Sequence, residues 1–378
     1  MNWEVIDQEQ DNAKIKVVGV GGAGGNAVRH MIDNNIEGVE FICANTDTQA
    51  LAELEEAVSL KLGNGLTKGL GAGANPEIGR RAAESDREAI EELLTGSDMV
   101  FITAGMGGGT GTGAAPVIAS VAKEMGALTV AVVTKPFKFV GKKRMASAEK
   151  GLAALVEEVD SLITIPNQKL FEVMGNNTTM QDAFAKADDV LKGGVQGISD
   201  VIMKTGKVNV DFADVKAVMS EKGVAMMGTG RASGKDRATE AATEAIGSEL
   251  LEDINLKNAR GVLVNITAKA PTLGDQAEVG EVVESIADNE NANIIYGLVY
   301  DDSVGDDLLV TIVATGVNHK VPSLVIDNQP SIKLNPVGLD KIREPNQKVG
   351  TSSAEEAIDF LDVPTFMRKQ VDLSLIHI

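Results

Sequence analysis

Apolar residues in the first half of the chain fall in short unbroken runs: Lys14–Val20, Val39–Ala44, Met99–Ala104, Leu128–Thr134 and, less clearly, Ser161–Pro166. Runs of this length without polar alternation read as strands buried on both faces. Between them, Asn26–Asn34, Pro76–Leu94 and Ala114–Met125 carry the three-and-four spacing of helices. Strand–helix alternation of this kind predicts an α/β fold with a parallel sheet covered on both faces.

A longer helix is expected over Gln181–Thr205. Phe184, Ala187, Leu191, Val195, Ile198 and Ile202 form one continuous apolar stripe. Gly193, Gly194 and Gly197 weaken its intrinsic helicity, so packing on both sides must hold it. It reads as a connector between two domains. Beyond it, Asp214–Ser220 and Arg237–Leu250 pattern as helices, and Gly261–Thr267, Asn293–Val299 and Leu308–Ala314 as strands. The expected organisation is an α/β domain over 1–180, the connecting helix over 181–205 and a smaller α+β domain over 206–317. From 318 to 359 the periodicity fades and Pro322, Pro330, Pro336 and Pro345 cluster, the signature of a flexible, disordered linker. An apolar island over 360–372 follows, which suits a docking peptide because it has no core of its own to join.

Composition narrows the choice of partners. The 378 residues carry 55 acidic against 35 basic side chains, a formal charge of −20. Such a surface repels phosphate backbones and anionic lipid, so neither nucleic acid nor direct membrane insertion is expected. It repels itself too, so any self-assembly needs a contact that outweighs that repulsion. No apolar run reaches the roughly 20 residues of a membrane span, and Met1-Asn2-Trp3-Glu4 does not open a secretory signal. A cytoplasmic location is the expectation. The single cysteine, Cys43, lies in an apolar run and reads as a small buried hydrophobe. His30, His319 and His377 are too scattered for a histidine metal site or a Ser-His-Asp triad.

The chemistry concentrates in glycine. Gly19-Val20-Gly21-Gly22-Ala23-Gly24 follows a strand and precedes a helix, where backbone N–H groups and the helix N-terminus can meet phosphate. A dinucleotide-binding domain fits this loop, and so does a tight turn. A second loop, Gly105-Met106-Gly107-Gly108-Gly109-Thr110-Gly111-Thr112-Gly113, has the same context, and six of its nine residues are glycine. That density raises the entropy lost on folding and so needs a reason. Two such loops could grip an oligophosphate from both sides, with Thr110 and Thr112 offering hydroxyls to phosphate or Mg²⁺. A third stretch, Gly69–Asn75, could fold over the terminal phosphate.

At Gly107–Gly113 the sequence resembles the tubulin/FtsZ superfamily, and the likeness to its FtsZ branch extends over nearly the whole chain. It is carried by Gly19–Val28, Asn45-Thr46-Asp47, Thr67–Pro76, Ala104–Pro116, Thr134–Phe139 with Lys142–Met145, and Asn209–Val215. The resemblance implies a GTPase that polymerises head to tail into the cytokinetic ring at mid-cell, with GTP/GDP and Mg²⁺ as ligands. It implies that Gly22, Ala23, Gly24, Gly25 and Asn26 line the nucleotide. Gly107, Gly108, Gly109, Thr110 and Gly111 would hold its phosphates, and Arg144 its ribose or phosphate side. Phe184 would pack on guanine and Asp188 accept from the base's N–H donors. Taken alone, Phe184 reads as core and Asp188 as a solvated helix face.

Asn209, Asp211 and Asp214 match the family's catalytic loop, which completes the site of the next subunit. Val363, Pro364, Phe366, Met367 and Arg368 match its peptide for membrane-tethering and regulatory division proteins. Two departures stand out: Val140 replaces a commonly acidic residue near the ribose, and residues 373–378 have no counterpart and read as an appended tail. The competing readings are a NAD-dependent oxidoreductase built on the first glycine loop and a monomeric GTP-binding regulator.

Overall fold

The computed structural model describes residues 13–175, 177–204, 210–221, 223–248, 259–285 and 292–317. All of them belong to one compact unit, Met1–Val321. The expected linker, docking peptide and tail, and also Asn209, lie outside the described residues.

The chain runs through β1 (Ile15–Val20), α1 (Gly21–Asp33), β2 (Val39–Asn45), α2 (Thr48–Ala52), β3 (Val58–Lys61), α3 (Asn64–Thr67), α4 (Pro76–Ser85), α5 (Arg87–Leu94), β4 (Met99–Gly105), α6 (Thr110–Glu124) and β5 (Leu128–Lys135). After a 3-10 turn at Lys138–Val140 come α7 (Lys142–Glu158), β6 (Ser161–Pro166), α8 (Asn167–Met174) and the long α9 (Met180–Met203). Then follow α10 (Phe212–Met219), β7 (Gly223–Ala232), α11 (Arg237–Ile246), β8 (Gly261–Ala268), α12 (Leu273–Glu284), β9 (Asn293–Tyr300) and β10 (Leu308–Val317).

The strands form one ten-stranded sheet in the order β3-β2-β1-β4-β5-β6-β7-β10-β8-β9. Pairing from β3 to β6 is parallel throughout. The apolar runs are continuous because both faces are covered. In β1, Ile15 and Val17 join a core with α1, α9 and α10, whereas Val18 and Val20 join the opposite core with α4, α5, α6 and α7. β7 adds to β6 in parallel through only three positions, Ser161↔Gly223 to Ile163↔Ala225, and then pairs antiparallel with β10. A third core packs α11 and α12 on this second half.

Several elements, β3 and α12 among them, have no counterpart in the predicted pattern, and three departures have a physical reason on view. The helix expected over Pro76–Leu94 breaks at Asp86, whose carboxylate accepts from the Gly63 backbone N–H and caps neither of the two helices that result. α1 starts at Gly21 rather than Asn26, because its glycines lie flat on the sheet. A Cβ on Gly19 would come within 2.5 Å of the Gly24 carbonyl oxygen. β7 has no counterpart in the sequence pattern; its Gly230 lies under α11, where a Cβ would meet Ala245 N at 2.6 Å.

Candidate functional site

From β1 the chain builds outward to β2 and β3, then returns to the other side of β1 with β4, β5 and β6. The strand order therefore reverses between β1 and β4. In such a sheet a crevice opens there, at the carboxyl ends of the strands. Both glycine loops leave from those two ends, the first after β1 and the second after β4. They touch: a Cβ on Gly21, at φ +74°, would meet the Gly111 backbone nitrogen at 2.9 Å.

The glycines divide into two kinds. Gly109 and Gly111 are hemmed by protein; added Cβ atoms would lie 2.8 Å from Ala72 Cβ and 2.9 Å from the Gly105 oxygen respectively. Gly22 and Gly108 face open space, with nothing within 4 Å of an added Cβ. Protein packing does not account for the missing side chains at these two positions. Both line a cleft of about 290 Å³ whose walls also include Ala23, Gly109, Thr110, Gly111, Thr134, Val140, Arg144, Asn167 and Phe184. Its floor comes from the N-terminal ends of α1 and α6, which present unpaired N–H groups and partial positive charge.

Side chains around the floor brace it. The Thr110 and Thr46 hydroxyls are 2.6 Å apart and buried, and the Thr112 hydroxyl accepts from the Gly107 N–H at 2.8 Å. Thr112 therefore holds the loop in shape rather than facing a ligand, unlike the expectation for it. The third glycine stretch packs against the same wall: Gly71 N–H donates to the Thr46 oxygen, and Ala72 and Asn75 abut Gly109. Arg144, in the first turn of α7 after Lys142 and Lys143, is exposed and engages no ion pair among the described residues. Three cations at a helix N-terminus oppose the helix dipole and favour an anion nearby.

The far end of the cleft is built by α9. Phe184 is 48% exposed, which rules out the core reading. Its ring meets Phe137 edge-on at 5.5 Å, and Phe137 stacks on Phe139 at 5.0 Å. The exposed surface of Phe184 lines the cleft. One turn on, Asp188 shares a second cleft with Asn26, His30 and Phe184. Burial pushes the Asp188 carboxyl up to about 6, with the His30 charge lowering it and Asp189 raising it further. It is thus half-buried rather than the freely solvated group its sequence position alone suggests. Asp189 is held by His30 Nε2 at 2.7 Å.

Asn167 was not singled out by any motif. It is 5% exposed, lines the cleft, and its Oδ1 has no hydrogen-bond partner. A buried acceptor left open at a cavity wall awaits a donor. Only its place directly after an apolar strand could have flagged it.

The acidic pair lies elsewhere. Phe184 and Asp188 sit in the first turns of α9, whereas Met203 at its end packs on Gly38, just ahead of the amino end of β2. Twenty-four residues make a rod of about 36 Å. α10 follows at that far edge, where the Val218 carbonyl accepts from Thr315, across the sheet from the start of β8. Asp211 precedes α10 and Asp214 lies in its first turn; both are exposed, and neither carboxylate caps the helix. Within one molecule the cleft lies at the carboxyl ends of β1 and β4, whereas α10 packs at the amino end of β8. Among the described residues there is no cluster of three or more His, Cys, Asp or Glu able to hold a metal, and no helix long and apolar enough to cross a membrane.

Known proteins resemble this chain along its length. A family model described as the tubulin/FtsZ family GTPase domain matches residues 14–175, and one described as the FtsZ family C-terminal domain matches 223–318. The cell division protein FtsZ of Pseudomonas aeruginosa is 54% identical, covering 98% of this chain and all of its own length. The FtsZ of Coxiella burnetii is 52% identical over 97% of this chain and 99% of its own. Among solved structures, an empty FtsZ dimer from M. jannaschii superposes with a TM-score of 0.78 at 46% identity, covering 82% of this chain and 90% of that one.

Proposed function

The chain belongs to the FtsZ branch of the tubulin/FtsZ family and is a polymerising cell-division GTPase, and we propose that its active site is completed only when the acidic edge of one copy meets the cleft of the next. The observation that carries this reading is the separation of the two half-sites by the length of α9. A nucleotide in the cleft cannot reach Asp211 or Asp214 of its own chain, whereas a head-to-tail neighbour presents them directly. The two alternatives weighed from the sequence, a NAD-dependent oxidoreductase and a monomeric regulator, receive no support from the relatives.

In this reading, Gly22, Ala23, Gly24, Gly25 and Asn26 line the nucleotide from α1. Gly107, Gly108, Gly109, Thr110 and Gly111 hold its phosphates through backbone N–H groups at the start of α6. Open space at Gly22 and Gly108 supports the fit. Arg144 supplies the countercharge. Guanine stacks on Phe184, and its N–H donors meet Asp188, a carboxylate that would repel adenine's acceptor edge. Asn167 adds an acceptor at the wall. Mg²⁺ would neutralise phosphate charge when bound, held mainly by phosphate oxygens and water, as this small cation prefers.

Phosphoryl transfer to water needs positioning and electrostatics more than a covalent nucleophile. The neighbour's Asp211 and Asp214 orient the attacking water, with Asn209 as polar support. Hydrolysis then weakens the contact that made it possible, so nucleotide times filament lifetime. The wider reading keeps the division at 1–180, 181–205 and 206–317, a linker over 318–359, and docking of division partners through Val363, Pro364, Phe366, Met367 and Arg368 at mid-cell. Light scattering and phosphate release, followed together after GTP and Mg²⁺ are added, test the core of it. Release per molecule should switch on above a threshold protein concentration. A rate per molecule independent of concentration would overturn it.

A further inference from the structure

Two aspartates stand side by side on α9, and only one of them is open to a ligand. Asp188 lines the second cleft with Asn26, His30 and Phe184 and accepts no hydrogen bond among the described residues. Asp189 is already held. His30 Nε2 lies 2.7 Å from its Oδ1, and because a carboxylate only accepts, that ring nitrogen carries the proton. Lys192 Nζ lies 3.6 Å from the same oxygen.

These contacts close into a ring between two helices. Lys192 Nζ also donates to Asn34 Oδ1 at 3.3 Å, and Asn34 Nδ2 donates to the His30 carbonyl at 2.7 Å. Behind the ring, Ala27 and Met31 of α1 share a core with Ala187 and Leu191 of α9. Apolar packing of this kind is non-directional, whereas a hydrogen bond weakens steeply as it bends. The polar ring therefore adds a fixed rotation of α9 about its own axis. Successive residues on a helix are about 100° apart, so fixing Asp189 fixes the aim of Asp188 and, one turn back, of Phe184. His30 sits one turn beyond Asn26, so the helix that carries the first glycine loop also sets that aim. The two partners pull opposite ways on the Asp188 charge: His30 favours its ionised form and Asp189 opposes it.

We propose that His30 is a positioning residue for guanine specificity, tying Asp189 to α1 so that Asp188 is the carboxylate presented to the base. This rests on the reading of Asp188 given above. At 28% and 47% side-chain exposure, the His30–Asp189 pair contributes little to stability. Its loss should therefore leave the fold intact and show at the base. Phosphate binding draws on backbone N–H groups of the two glycine loops rather than on the rotation of α9. Weaker binding of every nucleotide alike would thus mark a merely structural role.

The test uses the full chain, stripped of nucleotide, and compares GDP with IDP, whose base lacks the 2-amino donor of guanine. Affinities are measured on dilute subunits of the unaltered protein, His30→Ala, Asp189→Ala and the double variant, with His30→Gln as the change that keeps an N–H donor. Asp189→Ala removes the same bond from the other side should His30→Ala fail to fold. One charge-assisted hydrogen bond gives the unaltered protein a preference for GDP of about tenfold or more. That preference should shrink about threefold or more in either alanine variant, shrink no further in the double variant, and return in part with His30→Gln. A preference in the alanine variants equal to that of the unaltered protein, even with both affinities lowered together, would overturn the proposal. So would losses in the two single variants that multiply in the double. Asp188→Asn run alongside separates the two claims. If it keeps the preference, the reading of Asp188 falls and the role of His30 with it; if it loses the preference while His30→Ala keeps it, only the role of His30 falls.

Discussion

Gly22 and Gly108 offer a clean separation of folding from binding. An alanine at either position adds one methyl group that meets no protein atom within 4 Å. At Gly22, inside the first turn of α1, the substitution should be neutral or gain up to about 1 kcal/mol, since alanine loses less backbone entropy in a helix. The apo protein should then melt within about 3 °C of the unaltered one. On the proposed reading of the cleft, the methyl would nevertheless occupy the space through which phosphate reaches the backbone. Each N–H···phosphate bond lost, being charge-assisted, is worth about 1.5–3 kcal/mol, or roughly 10- to 150-fold in dissociation constant. Gly111→Ala makes the contrast. Its methyl would lie 2.9 Å from the Gly105 oxygen and 3.2 Å from the Val20 oxygen, both backbone atoms at strand ends. That substitution should destabilise the fold by about 1–3 kcal/mol before binding is considered. The assay is thermal unfolding of nucleotide-stripped protein beside a GDP titration. Gly22→Ala and Gly108→Ala proteins that keep both stability and affinity would refute the placing of phosphate over these two glycines.

Asp188 gives a pH signature. Its raised pKa, about 6 in the empty cleft, means the free protein binds a proton more tightly than the unfolded chain does. Its contribution to apo stability therefore falls as pH rises from about 4 to about 6. On the proposed reading guanine's N–H donors need the ionised form, so GDP affinity should move the other way, falling about tenfold per unit below pH 6 and levelling above about 7. Asp188→Asn should abolish both trends; an affinity profile unchanged by that substitution would remove Asp188 from base recognition. Cys43, 1% exposed and with its thiol pushed up to about 11 by burial, should resist alkylation at pH 8 in native protein and react only on unfolding. Rapid native labelling would contradict its placement in the core.

The fold was legible where local and tertiary preferences agree. Ser161–Pro166 is a strand with those same bounds because its apolar run, buried on both faces, permits little else. Prediction failed where glycine serves packing. Propensity argues against a helix across Gly21–Gly25, yet α1 begins there because only glycine lets it lie against β1 and β4. The same holds for Gly230 in β7 beneath α11. In the site, the two glycine loops announced themselves by density and context, but their juxtaposition comes from the strand order, which no local signal encodes. Asn167 carries no motif and reaches the cleft only because β6 lies beside β5. Apart from the family resemblance Phe184 and Asp188 looked ordinary; exposure of the first and partial burial of the second emerge only once α9 crosses the sheet.

Completion of the active site by a second copy can be tested most directly by mixing two disabled proteins. One carries Phe184→Ala with Asp188→Ala, so its cleft is weakened while its acidic edge is intact. The other carries Asp211→Asn with Asp214→Asn, so it holds GTP but offers no carboxylates. Phosphate release is measured for each alone and for an equal mixture, at a GTP concentration that saturates only the second. Release from the mixture should clearly exceed the average of the two separate rates, because the intact edge of the first protein meets the loaded cleft of the second. A mixture that merely gives that average would contradict catalysis between neighbouring copies.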